Sequence, residues 1–266
     1  MIYIAFTIYL FLVIFAGMGI YKLWAGLVRP AWVNWALLPG TIVSEMAYIF
    51  GCLITGGEIR RAKLMDSGGG KGAGKGDGAG SGAPATEATP KLKFIGPTFA
   101  SLLAIIACGV AIVLVNKWLG GAVIEPFKEA LSAAPSAEIP KFLPESWPGF
   151  WDEASRQIYL IQRTCETWGQ LAWSNWRVPL FVYLAACLSI RLAPAKREVR
   201  AMLAAVVLVA GGIAAAGLIS TKFDGLIKDL WPLLSYVWAS LLFLLTVTLL
   251  IRAVVSLVLI LAGKNK

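Results

Sequence analysis

The sequence predicts an all-α fold: a polytopic helical membrane protein with about six transmembrane segments and one amphipathic helical region on the exoplasmic side. Composition, hydropathy and blocking predict it together. Of the 266 residues, 58% are hydrophobic and only 15% charged, against about 45–50% apolar and about 25% charged in soluble domains. Mean hydropathy is +0.74. The apolar residues fall in long blocks, not amphipathic stripes, and blocks of about 18 or more read as bilayer spans. A net charge of +9 does not point to nucleic acid. The basic residues sit in short segments beside apolar blocks, as the positive-inside rule produces, and not on one face of a soluble fold.

Taken in order, the apolar segments lie at about 2–21, 32–55, 94–115, 178–194, 199–219 and 231–262. The first lacks the basic flank and small-residue cleavage site of a signal peptide, so it is expected as a membrane helix. The fourth is short, and Arg177 and Arg191 bracket it like snorkelling ends. The last exceeds the ~20 residues a span needs and contains Arg252. It is expected either to tilt or to run along the interface at its C-terminal part. The chain then divides into five regions. These are 1–55 (first membrane helices), 56–93 (a Gly-rich cytoplasmic linker), 94–117 (third membrane helix), 118–177 (exoplasmic, with an amphipathic helix) and 178–266 (C-terminal membrane helices). Trp24, Trp32, Trp35, Trp118, Trp173, Trp176 and Trp231 cluster at segment edges, where an amphipathic ring prefers the headgroup level.

Loop charge orients the spans. Residues 56–93 carry seven basic side chains (Arg60, Arg61, Lys63, Lys71, Lys75, Lys91, Lys93) against four acidic ones. Residues 191–200 carry Arg191, Lys196, Arg197 and Arg200 against Glu198, and the tail adds Lys264 and Lys266. Residues 118–176 hold seven acidic side chains against Lys128, Lys141, Arg156 and Arg163. With six spans the basic loops share the cytoplasmic side with both termini. Lys22 and Arg29 then fall on the wrong side, an inconsistency that re-entry of the first or second segment is expected to change in form but not to remove.

Within the linker, Gly69–Lys75 imitates a phosphate loop, but Gly76 stands where Ser or Thr would hold magnesium, so it reads as flexible linker. Cys52, Cys108 and Cys187 lie in apolar blocks and Cys165 alone in a polar region. That pattern gives no disulfide framework and predicts cysteines packed as small hydrophobes. In the outer region, Pro126, Pro135, Pro140, Pro144 and Pro148 argue against a long helix. Beyond them Trp151, Ala154, Ile158, Ile161, Cys165, Trp168 and Ala172 recur at helical spacing and form one stripe. The stripe is expected to be covered by the bilayer interface, by the protein's own spans or by a partner, with Trp151, Ile158, Ile161 and Trp168 as the partner-binding candidates.

The second segment reads Leu38-Pro39-Gly40-Thr41-Ile42-Val43-Ser44-Glu45-Met46-Ala47-Tyr48, followed by Gly56-Gly57. It resembles the site-2-protease-like intramembrane zinc metalloproteases, in which an L-P-G-T-like entry leads into H-E-x-x-H. Residues four apart share a helix face, so two imidazoles hold one zinc and the glutamate activates its water. Glu45 is retained, whereas Ser44 and Tyr48 occupy the two histidine positions, and the chain contains no histidine. A hydroxyl and a phenol of pKa ~10 are poor zinc ligands. The family's third ligand, an aspartate before glycine, has Asp224-Gly225 as its only counterpart after the linker, and Gly96-Pro97 also resembles the family.

The resemblance therefore implies a vestigial motif (Ser44, Glu45, Tyr48) with no metal, no cofactor and no catalysis. The expected function is a structural or assembly subunit of a membrane complex in a bacterial inner membrane. Its expected partners are other integral membrane proteins or further copies of the chain, within the lipid bilayer, and not nucleic acid. The alternative class is a transporter or channel subunit using Glu45 and Arg252, the two charges read at membrane depth.

Overall fold

The computed structural model describes residues 2–56, 58–62, 86–89, 95–132, 146–192, 199–219 and 222–261. Helices dominate them: α1 (Ile2–Leu27), α2 (Pro30–Ala36), α3 (Leu38–Ile54), α4 (Ile95–Val115), α5 (Gly121–Ser132), α6 (Trp147–Gln170), α7 (Arg177–Arg191), α8 (Val199–Ile219) and α9 (Lys222–Leu261). Two short strands, β1 (Glu58–Ala62) and β2 (Thr86–Thr89), pair antiparallel. The region 56–93, expected as linker throughout, thus carries a β-ladder at its ends. Its Gly-rich middle, including 69–75, lies outside the described residues, as do Pro135, Pro140 and Pro144, the basic positions 196–197 and the tail lysines.

Among the described residues four helical stretches are long and apolar enough to cross a membrane: Tyr3–Leu27, Ile95–Ser132, Arg200–Gly217 and Gly225–Val258. They make the chain an integral membrane protein. The other two expected spans are shorter, α3 at 17 residues and α7 at 15. α9 is 40 residues long, about 60 Å and so twice the ~30 Å hydrocarbon thickness. Its last stretch, Leu249 to Leu261, is exposed wherever described.

Proline does not end the helix after α4 as composition suggests. α4 continues through a π-helical turn (Asn116–Gly120) into α5, which holds Pro126. Val123, Phe127 and Leu131, four residues apart, are buried there, and Phe127 meets the Tyr236 ring edge-on at 5.4 Å. Tertiary packing supplies what the missing N–H removes, and a π-turn is one of the usual places where a long helix bends.

Helix directions follow from contacts. Near its start α1 sets Tyr9 against Trp231 (5.0 Å) and Trp238 (6.2 Å) of α9. Near its end, Trp24 Nε1 donates to Thr248 Oγ1 at 2.9 Å. α1 and α9 therefore run parallel. α7 follows them, with Phe181 beside Tyr236 at 5.9 Å and Ser189 and Ile190 against Gly17. α3 follows α7: Ala36, just before it, accepts hydrogen bonds from Tyr183 (2.7 Å) and Cys187 (3.5 Å), and one turn on Gly40 packs against Cys187 and Arg191. α4 returns antiparallel to α3, with Ala100 on Gly51. α8 ends where α1 begins, Gly217 lying against the Tyr3 ring, so it is antiparallel to α1. Val13, Ile14, Cys108, Phe181, Met202 and Tyr236 are core residues where these helices meet.

Candidate functional site

Sequence position alone makes Arg191 a snorkelling end, but it is only 3% exposed. A guanidinium without water needs donors satisfied and charge balanced, and residues of four elements surround this one. From α2, Asn34 Oδ1 accepts from Arg191 Nη2 at 2.5 Å. From α1, the Tyr21 ring stacks under the guanidinium at 4.7 Å, while its hydroxyl donates to the same Asn34 oxygen at 3.3 Å. From α3, Glu45 lies within electrostatic reach. From α7 itself, Cys187 is one turn away. Arg191 Nε has no hydrogen-bond partner.

Gly40 makes this junction close. A side chain there would collide with the Cys187 carbonyl and the Arg191 Cβ, so the Pro39-Gly40 entry lets α3 approach the α7 backbone. Small residues are the general device for close helix packing in lipid. The entry to the motif region thus has a packing role that its sequence resemblance did not reveal.

The three positions that carry the resemblance, Ser44, Glu45 and Tyr48, lie on α3. Ser44 is buried, its hydroxyl donating to the Thr41 carbonyl at 3.4 Å. Tyr48 packs against Cys52 and Ala100, and Glu45 is half-buried. Among the described residues no three Cys, Asp or Glu side chains gather in a group able to hold a metal. The donor set does not fit zinc: one carboxylate is flanked by a hydroxyl turned to its own helix and a phenol turned into packing. Asp224 opens α9 at the end where α1 begins, away from the Arg191 junction. Arg252 stands on the exposed C-terminal stretch of α9. Arg191, not Arg252, is the arginine near Glu45.

The amphipathic helix α6 is present, and the face it turns to the bundle carries polar as well as apolar residues. Leu160, Thr164 and Thr167 are buried. Glu153 and Gln157 form a hydrogen-bonded latch with the bundle. Tyr9 Oη donates to Glu153 Oε1 at 3.3 Å, and Gln157 Nε2 donates to Tyr9 Oη at 3.1 Å and to Glu153 Oε1 at 2.7 Å. Trp238 Nε1 donates to Gln157 Oε1 at 2.6 Å.

The predicted stripe is therefore split. Trp168 belongs to the interior, with Nε1 donating to Tyr236 Oη at 3.0 Å and its ring edge-on to Phe243 at 5.2 Å. Ile161 is half-buried, and Cys165 is exposed. Trp151 and Ile158 face outward, 56% and 67% exposed. Trp151 belongs to an exposed aromatic cluster with Trp147 and Phe150, whose rings stack at 5.6 Å. Farther along α6, the Gln162 amide and then Arg163 hold the Glu166 carboxyl below the ordinary range, against the opposing effect of desolvation.

The buried polar face has a physical cause. Lipid is as apolar as leucine, so apolar side chains gain little by leaving it, whereas polar groups must find partners within the protein. Glu153, Gln157, Thr164 and Thr167 show helical spacing in the sequence, with Leu160 between them on the same face. Comparison with known protein families, with curated proteins and with solved structures finds nothing that matches this chain.

Proposed function

We propose that this chain is a non-catalytic structural or assembly subunit of a membrane complex, built on a core related to the site-2-protease-like family in which the zinc chemistry has been replaced by packing. The observation that carries the reading is α6. Its polar face is spent on Tyr9 and Trp238, while Trp147, Phe150, Trp151 and Ile158 remain exposed on its other side. Aromatic residues held on a rigid helix are typical interface anchors. The motif fits the same reading, since Ser44 and Tyr48 fill the two histidine positions and Glu45 lies within electrostatic reach of the buried Arg191. The partners are other integral membrane proteins or further copies of this chain, and the compartment is a bacterial inner membrane.

The test removes the outward anchors and spares Trp168. In the full-length chain Trp151→Ala with Ile158→Ala should convert the native-gel species extracted in mild detergent from a complex to the single chain. Hot-spot truncations cost about 2 kcal/mol or more each, enough to dissociate it at working concentrations. An unchanged complex would sink the proposal. Loss of protease protection over α6 without a change in mass would assign the face to the bilayer surface instead.

A further inference from the structure

We propose that the groove between α1, α4 and α9 binds one phospholipid, its acyl chain within the groove and its phosphate at Lys117. The groove is a cavity of about 380 Å³ with Phe6, Leu10, Ile105, Val110, Leu230 and Leu234 among its lining residues. Every residue that lines it is apolar. An apolar cavity of ~150 Å³ already stays dry and takes up apolar molecules, so water is not the occupant. A partner helix is excluded by size: a helix is about 10–12 Å across with its side chains, and the cavity has room for only a few side chains.

One wall gives the ligand direction. Ile106, Val110, Val113 and Leu114 of α4 are 47%, 53%, 39% and 44% exposed, forming the open side. Lys117 continues that face at four residues from Val113 and three from Leu114, inside the π-helical turn Asn116–Gly120, and is exposed. From Ile106 to Lys117 the helix rises about 16 Å, half of the ~30 Å hydrocarbon core. One leaflet's acyl chain matches that length. Beside Lys117 stands Trp118, 73% exposed, as expected of a ring at headgroup level. An apolar slot one leaflet deep that ends in an ammonium group and an indole is complementary to a phospholipid, and free phosphate would use none of the slot.

The test uses the intact chain in nanodiscs of phosphatidylglycerol carrying a photoactivatable diazirine at the acyl terminus. Cross-linked peptides are mapped by mass spectrometry. Adducts should concentrate on Leu10, Ile106, Val110 and Leu234 over Leu250, Val254 and Leu257 of α9, which are exposed outside the groove. Lys117→Gln should lower groove labelling about fivefold, the weight of one lysine at an anionic membrane surface. Gly109→Phe, at a lining position with open space around its α-carbon, should abolish it. Equal labelling of groove and outer α9 surfaces overturns the proposal. So does labelling that survives Lys117→Gln unchanged, a surface substitution that does not threaten folding. Labelling abolished by Gly109→Phe but indifferent to Lys117 leaves an apolar-chain slot and overturns phospholipid as the ligand.

Discussion

Arg191 shows how one residue can organise an apolar bundle. Its charge is kept at depth by an amide oxygen, an aromatic face and a nearby carboxylate, each from a different helix. Arg191→Met would take from Asn34 Oδ1 one of its two donors, leaving the Tyr21 hydroxyl, and would remove the cation from the Tyr21 face. A buried polar group that loses a partner costs about 1–3 kcal/mol, so thermal unfolding in detergent should occur at lower temperature. Arg191→Lys should recover only part of the loss, because a compact ammonium cannot both lie flat on Tyr21 and reach Asn34 as a guanidinium does. Equal stability of the wild type and Arg191→Met would show the junction to be incidental. Little of this was legible in the sequence. Asn34 stands out in an apolar block, but no periodicity joins positions 21, 34, 45 and 191, whose meeting depends on which helices pack together. Glu45 was legible as a membrane-depth carboxylate, and Arg252, the other charge read at that depth, lies elsewhere.

At the scale of single helices, the sequence indicated where helices lie better than which faces they bury. All six expected segments contain helix, because long apolar blocks have no other stable form in lipid. Faces are harder, since hydrophobicity stops distinguishing inside from outside once the solvent is itself apolar. In α6 this split the expected stripe, Trp168 turning inward while Trp151 and Ile158 face outward, and in α1 it hides the role of small residues. Gly17 and Gly19 look equivalent in sequence. A Cβ at Gly17 would stand 2.9 Å from the Ser189 carbonyl oxygen and 3.1 Å from the Ile190 Cα, whereas one at Gly19 would meet nothing within 4 Å. Gly17→Ala should therefore destabilise by about 1–3 kcal/mol through overpacking against α7. Gly19→Ala should be neutral or stabilising by about 0.5–1 kcal/mol, through relief of glycine's entropic cost in a helix. Thermal unfolding of the two variants side by side checks the assignment, and a shift of the same sign in both would refute it.

For the whole molecule, helix direction constrains the topology more tightly than hydropathy does. α1 and α3 run the same way, yet only Val28, Arg29, the seven-residue α2 and Leu37 separate them. Seven residues rise about 10 Å, too little to recross ~30 Å of hydrocarbon. α1 and α3 therefore cannot both be complete crossings. We expect α2 and α3 to enter together and return to the side they came from, turning at Leu37-Pro39-Gly40. Five crossings then remain, α1, α4, α7, α8 and α9, and an odd number agrees with α1 and α9 being parallel.

This arrangement also resolves the inconsistency in loop charge. Lys22 and Arg29 fall at the end of the bundle where α1 finishes, as do the helix ends that lead into the basic 56–93 stretch, the 191–200 connection and the C-terminal tail. α6, from the acidic 118–176 region, meets the starting half of α1 through Glu153 and Tyr9. The positive-inside rule makes the first end cytoplasmic, so the N-terminal end of α1 faces outward and the tail inward. Val28 separates this from the six-span reading, which places it on the outside; Ser146 is outside in both and serves as the positive control. In a cysteine-free background, Ser146→Cys should react with an impermeant maleimide in intact cells, and Val28→Cys should react only after permeabilisation. Val28 is 52% exposed, so access through the protein does not limit its labelling. Reaction at both positions in intact cells would restore α3 as a full crossing and would require the parallel course of α1 and α9 to be wrong.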